Sequence, residues 1–119
     1  MITEAKRSAS VLVVGLNPTF QETMIFNRLM IGEVNRAISH RFDASGKGMN
    51  VARVLSQLKV PTLLLTHLGG GRIQEFLDEA EKDRVPLLWT DSQSPIRTCI
   101  TVLDRANGLT TELVQEPKP

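Results

Sequence analysis

Short apolar runs alternate with helical patterns through the first ninety residues of the chain. The run Val11–Leu16 is rich in β-branched residues, and the runs Pro61–Leu68 and Val85–Thr90 are similar in length and character. Runs of this kind are typical of strands that are buried on both faces of a parallel sheet. The order strand, helix, strand predicts parallel neighbours that are joined by right-handed crossovers. The pattern therefore predicts an α/β fold.

Two stretches between these runs carry the period of an amphipathic helix. From Gly48 to Leu58, apolar residues recur at i, i+3, i+4 and i+7, which places them on one face. This predicted inward stripe consists of Val51, Val54, Leu55 and Leu58. A second helix is predicted from Arg72 to Asp83. Its predicted inward stripe consists of Ile73, Phe76, Leu77 and Ala80.

Four further segments alternate in polarity without a purely apolar face. They are Glu22–Phe26, Val34–His40, Ile96–Arg105 and Thr110–Glu116. The last two flank Asn107-Gly108, the strongest short signal for a β-hairpin in the sequence. Mixed faces predict strands that are exposed on one side and lie outside the main sheet.

Composition excludes several classes of function. The 119 residues suffice for one compact domain, predicted over 11–119, whereas residues 1–10 show no period and predict a frayed terminus. With 14 basic and 13 acidic residues, no Tyr, one Trp and four Phe, the chain offers no electrostatic field and few stacking platforms for nucleic acid. No apolar run approaches the roughly 20 residues of a membrane span. Because the single Cys99 cannot form an internal disulfide, we expect a cytoplasmic protein.

The turn Gly46-Lys47-Gly48 is the main candidate for ligand chemistry. It precedes the first predicted helix, where unpaired backbone N–H groups and the positive end of the helix dipole favour anions. Lys47 adds a cation, and Asn50 adds a donor and an acceptor. The pattern therefore suits an anionic or polyhydroxyl ligand. A turn that is capped by Ser45, with a solvated Lys47, fits the spacing equally well.

Three other positions have two interpretations each. Asn17 follows the first strand, at the edge where α/β sheets bind ligands, or it simply ends the strand before Pro18. Arg97 could bind a phosphate with two N–H groups, or it is a solvated strand arginine. The glycines 69–71 approach a ligand or form a tight strand-to-helix turn.

Several fragments together resemble a known family. They are G-L-N-P-T from Gly15, G-E-V-N-R-A from Gly32, D-A-S-G-K-G-M-N-V-A-R-V-L from Asp43, H-L-G-G from His67, I-R-T-C-I-T-V-L-D from Ile96 and T-T-E-L-V from Thr110. In this order they resemble the amino-terminal part of PfkB (ribokinase-like) sugar kinases, nearest to the 1-phosphofructokinase and tagatose-6-phosphate kinase branch. The resemblance extends from about Val11 to Pro119.

This resemblance implies a Rossmann-like, ribokinase-type α/β sheet with a small β-sheet lid, cut off after its amino-terminal part. Lid strands within residues 22–40 and 96–116 would cover a sugar phosphate and join a homodimer. By matching position, the resemblance implies that Gly46, Lys47, Gly48 and Asn50 contact the sugar phosphate, that Arg97 binds its phosphate and that Asn17 lies at the pocket floor. ATP and Mg²⁺ are expected for the whole kinase, and neither is expected to bind this chain tightly.

Two departures from the family pattern limit the expected activity. Gln21 stands where the family usually has an aspartate for sugar hydroxyls, so hydrogen bonding is kept and the charge is lost. The G-A-G-D turn that carries the family's aspartate base is absent from the sequence. We therefore expect substrate-binding residues without a catalytic or metal-binding residue, and no phosphoryl transfer. The alternative is a non-catalytic phosphosugar-binding or oligomerisation module. A truncated α/β sheet should also expose apolar surface, so we expect the isolated piece to self-associate.

Overall fold

A computed structural model describes residues 10–117 of the chain, so most of the predicted frayed terminus (1–10) lies outside the described residues. Within residues 10–117 there are seven strands, two α-helices and one 3₁₀ turn at Gly70–Arg72. The elements are β1 (Val11–Gly15), β2 (Thr19–Phe26), β3 (Ser39–Ser45), α1 (Lys47–Gln57), β4 (Thr62–Leu68), α2 (Ile73–Lys82), β5 (Leu87–Asp91), β6 (Arg97–Asp104) and β7 (Leu109–Leu113). Neither helix in this part of the chain is long and apolar enough to cross a lipid bilayer.

The strands form two sheets, as the α/β pattern predicts. β1, β4 and β5 form a parallel sheet in the order β1-β4-β5. The second sheet, called the lid sheet below, has the order β3-β2-β6-β7. Its central pair β2–β6 is parallel, and its two outer pairs are antiparallel. The predicted hairpin at Asn107-Gly108 is confirmed, with Gly108 at a φ of 63°.

An aromatic cluster joins the lid sheet to the rest of the fold. Phe20 of β2 is fully buried, with its ring centroid 5.1 Å from Phe42 and 5.8 Å, edge-on, from Phe76 of α2. The guanidinium of Arg72 lies 4.2 Å from the Phe20 centroid, a cation–π distance. Arg72 also donates to Glu75, which raises the pKa of the guanidinium above its ordinary value. The base of the lid sheet is therefore packed directly on α2 and the turn before it.

The predicted strand Val34–His40 is wrong in its position, because the observed strand is Ser39–Ser45. The side chain of Asn35 explains the shift. Its Oδ1 accepts from the Met30 N–H at 2.8 Å, and its Nδ2 donates to the carbonyls of Met30 and Glu33. These bonds fold residues 30–35 into a turn, as Asn side chains often do. The strand therefore starts later and ends at the glycine turn.

The predicted inward stripe of α1 is also wrong. Val51, Val54 and Leu58 are 51%, 53% and 68% exposed, whereas Met49 and Ala52 are buried against the parallel sheet. Residues 48 and 52 lie one turn apart on the same helix face, and Gly48 approaches β1 closely. That contact turns the Met49 and Ala52 side of α1 inward. The stripe predicted for α2 is confirmed, with Phe76 and Ala80 buried and Ile73 and Leu77 packed beside them.

One face of the parallel sheet lies open, contrary to the prediction of strands that are buried on both faces. We call it the open face; it comprises Leu12, Val14, Leu63, Leu65 and Leu88, which the strand register aligns. Leu12 and Val14 are 60% and 55% exposed, whereas Leu64 and Leu68, on the opposite face, are buried under the helices. Both helices among residues 10–117 thus cover the same side of the sheet.

Candidate functional site

A cavity of about 490 Å³ lies at the carboxyl end of β1. Its walls come from the end of β1, the loop into α1, the middle of β4, the start of β6 and the segment after β7. Five residues that the sequence singles out line this cavity: Asn17, Gly46, Lys47, Gly48 and Arg97. Carboxyl ends of parallel strands are where α/β folds bind ligands, so the position of the cavity fits the fold.

The two glycines of the turn allow the loop to pack against the end of β1. Gly46 has a φ of 107°, and a Cβ there would lie 3.0 Å from the carbonyl oxygen of Asn17. A Cβ on Gly48 would lie only 2.6 Å from the Cα of Gly15. Close backbone packing therefore requires glycine at both positions, independently of any ligand. The same packing brings the backbone of both residues to the cavity wall.

The first turn of α1 lacks a side-chain cap among the described residues. Gly46 is the N-cap, and Ser45, the cap of the alternative interpretation, is instead the last residue of β3. The Ser45 hydroxyl donates to Oδ1 of Asn50 at 3.0 Å. Because the first backbone N–H groups of a helix have no intrahelical partner, those of Lys47 and Gly48 can bind an acceptor at the cavity wall.

Arg97 is held between two backbone carbonyls at the cavity wall. Its Nη2 donates to the Asn17 carbonyl at 3.2 Å, and its Nη1 donates to the Gln115 carbonyl at 3.1 Å. Its Nε is buried and has no hydrogen-bond partner among the described residues. Buried N–H groups are normally paired, so this Nε is an exception to the usual pattern. The contacts fix the guanidinium plane and leave part of its donor capacity for an anion.

Lys47 is the second cation at the cavity. Its side chain is exposed and makes no ion pair with any residue in the described part of the chain. Together, Lys47 and Arg97 give the cavity two positive charges. Glu116 is the single acid among the described residues that line the cavity. The sequence pattern gave no sign of Glu116, because the residue belongs to no motif and follows the last strand.

Two predicted contact residues do not line the cavity. Oδ1 of Asn50 accepts from Ser45 and, at 2.9 Å, from Nη1 of Arg53. Arg53 in turn pairs with Asp83 at the end of α2, so Asn50 belongs to a network that fixes the loop. Gln21 points into the lid sheet, where its Nε2 donates to the Thr101 hydroxyl at 2.8 Å.

The sequence and the fold agree on one family. Residues 11–118 match the pfkB family of carbohydrate kinases. The chain belongs to this family. Over 106 residues it is 28% identical to the tagatose-6-phosphate kinase of Staphylococcus epidermidis, a match that covers 89% of this chain and 34% of that enzyme.

Two solved structures show the same ribokinase-type fold as this PfkB chain. Phosphofructokinase-2 of Escherichia coli, in complex with fructose-6-phosphate, superposes with a TM-score of 0.83 at 19% identity, over 92% of this chain and 36% of that one. A possible 1-phosphofructokinase of Thermotoga maritima superposes with a TM-score of 0.81 at 24% identity, over 92% of this chain and 35% of that one. The chain thus spans about one third of the length of the relatives it matches.

A smaller cavity of about 290 Å³ lies on the other side of Arg97 in this PfkB chain. The second glycine turn packs beside it: a Cβ on Gly69 would lie 2.3 Å from Oγ of Ser92. Close packing against the loop after β5 therefore explains this glycine. His67 also lines the cavity, and its Nδ1 lies 2.6 Å from the Thr90 hydroxyl, as expected for a histidine with a structural hydrogen bond.

The described residues do not contain a cluster of metal-ligating side chains. Across residues 10–117, no group of three or more His, Cys, Asp or Glu side chains could hold a metal ion. Mg²⁺ is bound through carboxylates and phosphate oxygens in kinase sites. The cavity instead combines two cations, backbone N–H groups and one carboxylate, which suits an anionic ligand with hydroxyl groups.

Proposed function

We propose that this PfkB chain is the phosphosugar-binding portion of a cytoplasmic ATP-dependent sugar-phosphate kinase that resembles 1-phosphofructokinase. One observation carries the proposal: Lys47, Arg97 and the uncapped start of α1 line a single cavity at the carboxyl end of β1. Fructose 1-phosphate is the expected sugar. The cavity volume of about 490 Å³ lies within the ordinary range for small-molecule sites.

The residues divide between the two ends of such a ligand. The phosphate would take charge-assisted hydrogen bonds from Arg97 and Lys47 and further bonds from the backbone N–H groups of Lys47 and Gly48. Asn17, at the end of β1, would bond sugar hydroxyls at the floor. In this proposal Asn50 acts indirectly, since it fixes the loop that carries the two glycines and Lys47.

The chain should bind the sugar without transferring a phosphoryl group. Phosphoryl transfer depends on positioning and on charge stabilisation around the moving phosphate. The sequence holds no G-A-G-D turn to supply a base and an anion hole. ATP and Mg²⁺ would be engaged by residues of the whole kinase that this sequence does not contain.

Calorimetry and an ATP-consumption assay on one preparation of verified mass test this proposal together. We expect heat from fructose 1-phosphate, none from unphosphorylated fructose at the same concentration, and no ATP consumption with fructose 1-phosphate or fructose 6-phosphate. The phosphate requirement follows from the two cations of the cavity. Equal binding of fructose would contradict the phosphate site, and sustained turnover by the 119-residue species would contradict the missing catalytic machinery.

The second candidate is a non-catalytic phosphosugar-binding or oligomerisation module. Gln21 favours it, because an amide that is hydrogen-bonded to Thr101 replaces the carboxylate of the family pattern. The coding sequence downstream of Pro119 separates the two candidates. A G-x-G-D motif there supports the kinase, and a stop codon supports the module.

We also propose that the chain self-associates, both through the open face and as a homodimer through lid strands. Leu12 on the open face and Leu109 on β7 of the lid sheet are each 60% exposed, which makes them a matched pair. Placing a charge in an apolar contact is costly. In sedimentation equilibrium, Leu12→Glu should remove the higher oligomers and leave the dimer, whereas Leu109→Glu should weaken the dimer. A concentration-independent monomer for the unmodified chain would contradict both contacts.

A further inference from the structure

Glu116 is the single carboxylate among the described residues that line the phosphosugar cavity. It lies in the segment after β7, which two contacts hold against the start of β6. Nη1 of Arg97 donates to the Gln115 carbonyl at 3.1 Å, and the backbone N–H of Thr98 donates to Oε1 of Gln115 at 3.1 Å. The residue next to Glu116 is therefore fixed on both its backbone and its side chain.

The charges around Glu116 restrict which part of a bound ligand its carboxylate can contact. The cavity also holds Lys47 and Arg97, yet Glu116 forms no ion pair with either of them within 4.0 Å. A sugar phosphate is anionic at one end and rich in hydroxyl groups at the other. Like charges at close range repel strongly in a partly enclosed site. If the two cations hold the phosphate, the carboxylate must face the hydroxyl end.

A second polar residue considered for the sugar, Gln21, lies in the lid sheet and away from the cavity. The Nε2 of Gln21 donates to the Thr101 hydroxyl, which donates to the Glu112 carboxylate at 2.9 Å. Gln21 is thus part of a hydrogen-bonded row across β2, β6 and β7, and it does not line the cavity. A carboxylate is a stronger acceptor for hydroxyl groups than a neutral amide. Glu116, and not Gln21, therefore places a strong acceptor for hydroxyl groups at the cavity.

We propose that Glu116 is a specificity-determining residue that accepts hydrogen bonds from the hydroxyl groups of a phosphorylated sugar. This inference rests on the proposed function, since it takes the phosphate to lie at Lys47 and Arg97. A carboxylate at this position selects ligands that carry both a phosphate and hydroxyl donors. Phosphorylated carboxylic acids are rejected, because their carboxylate would meet Glu116.

The test compares Glu116→Gln with Glu112→Gln, a matched change in the lid sheet outside the cavity. Binding of fructose 1-phosphate and of inorganic phosphate is measured by ligand-observed NMR titration, after circular dichroism has shown that each variant is folded. Glu116→Gln should weaken the binding of fructose 1-phosphate about tenfold, because one charge-assisted hydrogen bond is lost. It should leave phosphate binding unchanged or slightly tighter. Glu112→Gln should change neither affinity.

Three results with Glu116→Gln would overturn the inference in distinguishable ways. Unchanged affinity for fructose 1-phosphate would show that Glu116 does not contact the sugar. Equally weaker binding of both ligands would assign Glu116 a merely structural role. Equally tighter binding of both would place Glu116 beside the phosphate. If the unmodified chain bound neither ligand, the proposed function itself would fail, and the inference with it.

Discussion

Replacing Gly48 with alanine should destabilise the fold by about 2 kcal/mol, the usual cost of adding a methyl group to a packed contact. In an ordinary helix position the same change stabilises by up to about 1 kcal/mol. Here the sign reverses, because the new Cβ would lie 2.6 Å from the Cα of Gly15 and 3.1 Å from its nitrogen. Both are backbone atoms, so no side chain can rotate away. Urea denaturation measures the change in the free energy of unfolding.

Gly71 provides the matched control for this prediction. It lies in the 3₁₀ turn before α2, and a Cβ there would have no heavy atom within 4 Å. Gly71→Ala should therefore change the free energy of unfolding by less than about 0.5 kcal/mol. If Gly48→Ala proved as stable as the unmodified chain, α1 would not pack on β1 as described. The loop that carries Lys47 would then lack its support.

Replacing both Lys47 and Arg97 with alanine should weaken fructose 1-phosphate binding at least about 100-fold. Each hydrogen bond to a charged partner contributes about 1.5–3 kcal/mol, so losing two costs about 3 kcal/mol or more. Lys47→Ala and Arg97→Ala alone should each produce part of this loss of affinity. Calorimetry on the folded variants measures it, and higher salt should reduce the effect of Lys47, which is exposed.

Lys82 and Arg105 provide the matched control pair for the two cations. Both are exposed, and neither lines the cavity. Lys82→Ala with Arg105→Ala removes the same total charge and should leave the affinity within about twofold, since distant surface charges are largely screened. Equal loss in both double variants would mean that net charge, and not the cavity, determines binding.

The architecture could be predicted from sequence because its signals are local. Apolar strand runs, the spacing of Phe76 and Ala80, and the turn Asn107-Gly108 each act over a few residues. The start of β3 could not be predicted, since the alternation continues through residues 34–45 and the hydrogen bonds of Asn35 decide where it begins. The inward face of α1 depends on a contact between Gly48 and Gly15, which are distant in sequence.

Some residues of the candidate site could likewise be predicted from the sequence, and others could not. Asn17, Lys47 and Arg97 could be singled out because Asn17 follows a strand, Lys47 begins a helix and Arg97 begins a strand, and these positions meet in this fold. Position alone does not fix where a side chain points, so Gln21 could not be excluded from the cavity by sequence. Glu116 could not be found, because only the bonds of Arg97 and Thr98 to Gln115 bring its segment to the cavity.

The most direct test of the account is to observe which backbone amides respond when fructose 1-phosphate is titrated into the ¹⁵N-labelled chain. The account predicts saturable shifts at the amides of Gly46, Lys47 and Gly48, which line the cavity. Residues around the separate cleft at Leu77 and Trp89 should not shift. Shifts confined to that cleft, or no shift at the glycine–lysine turn at saturating ligand, would contradict the phosphosugar site.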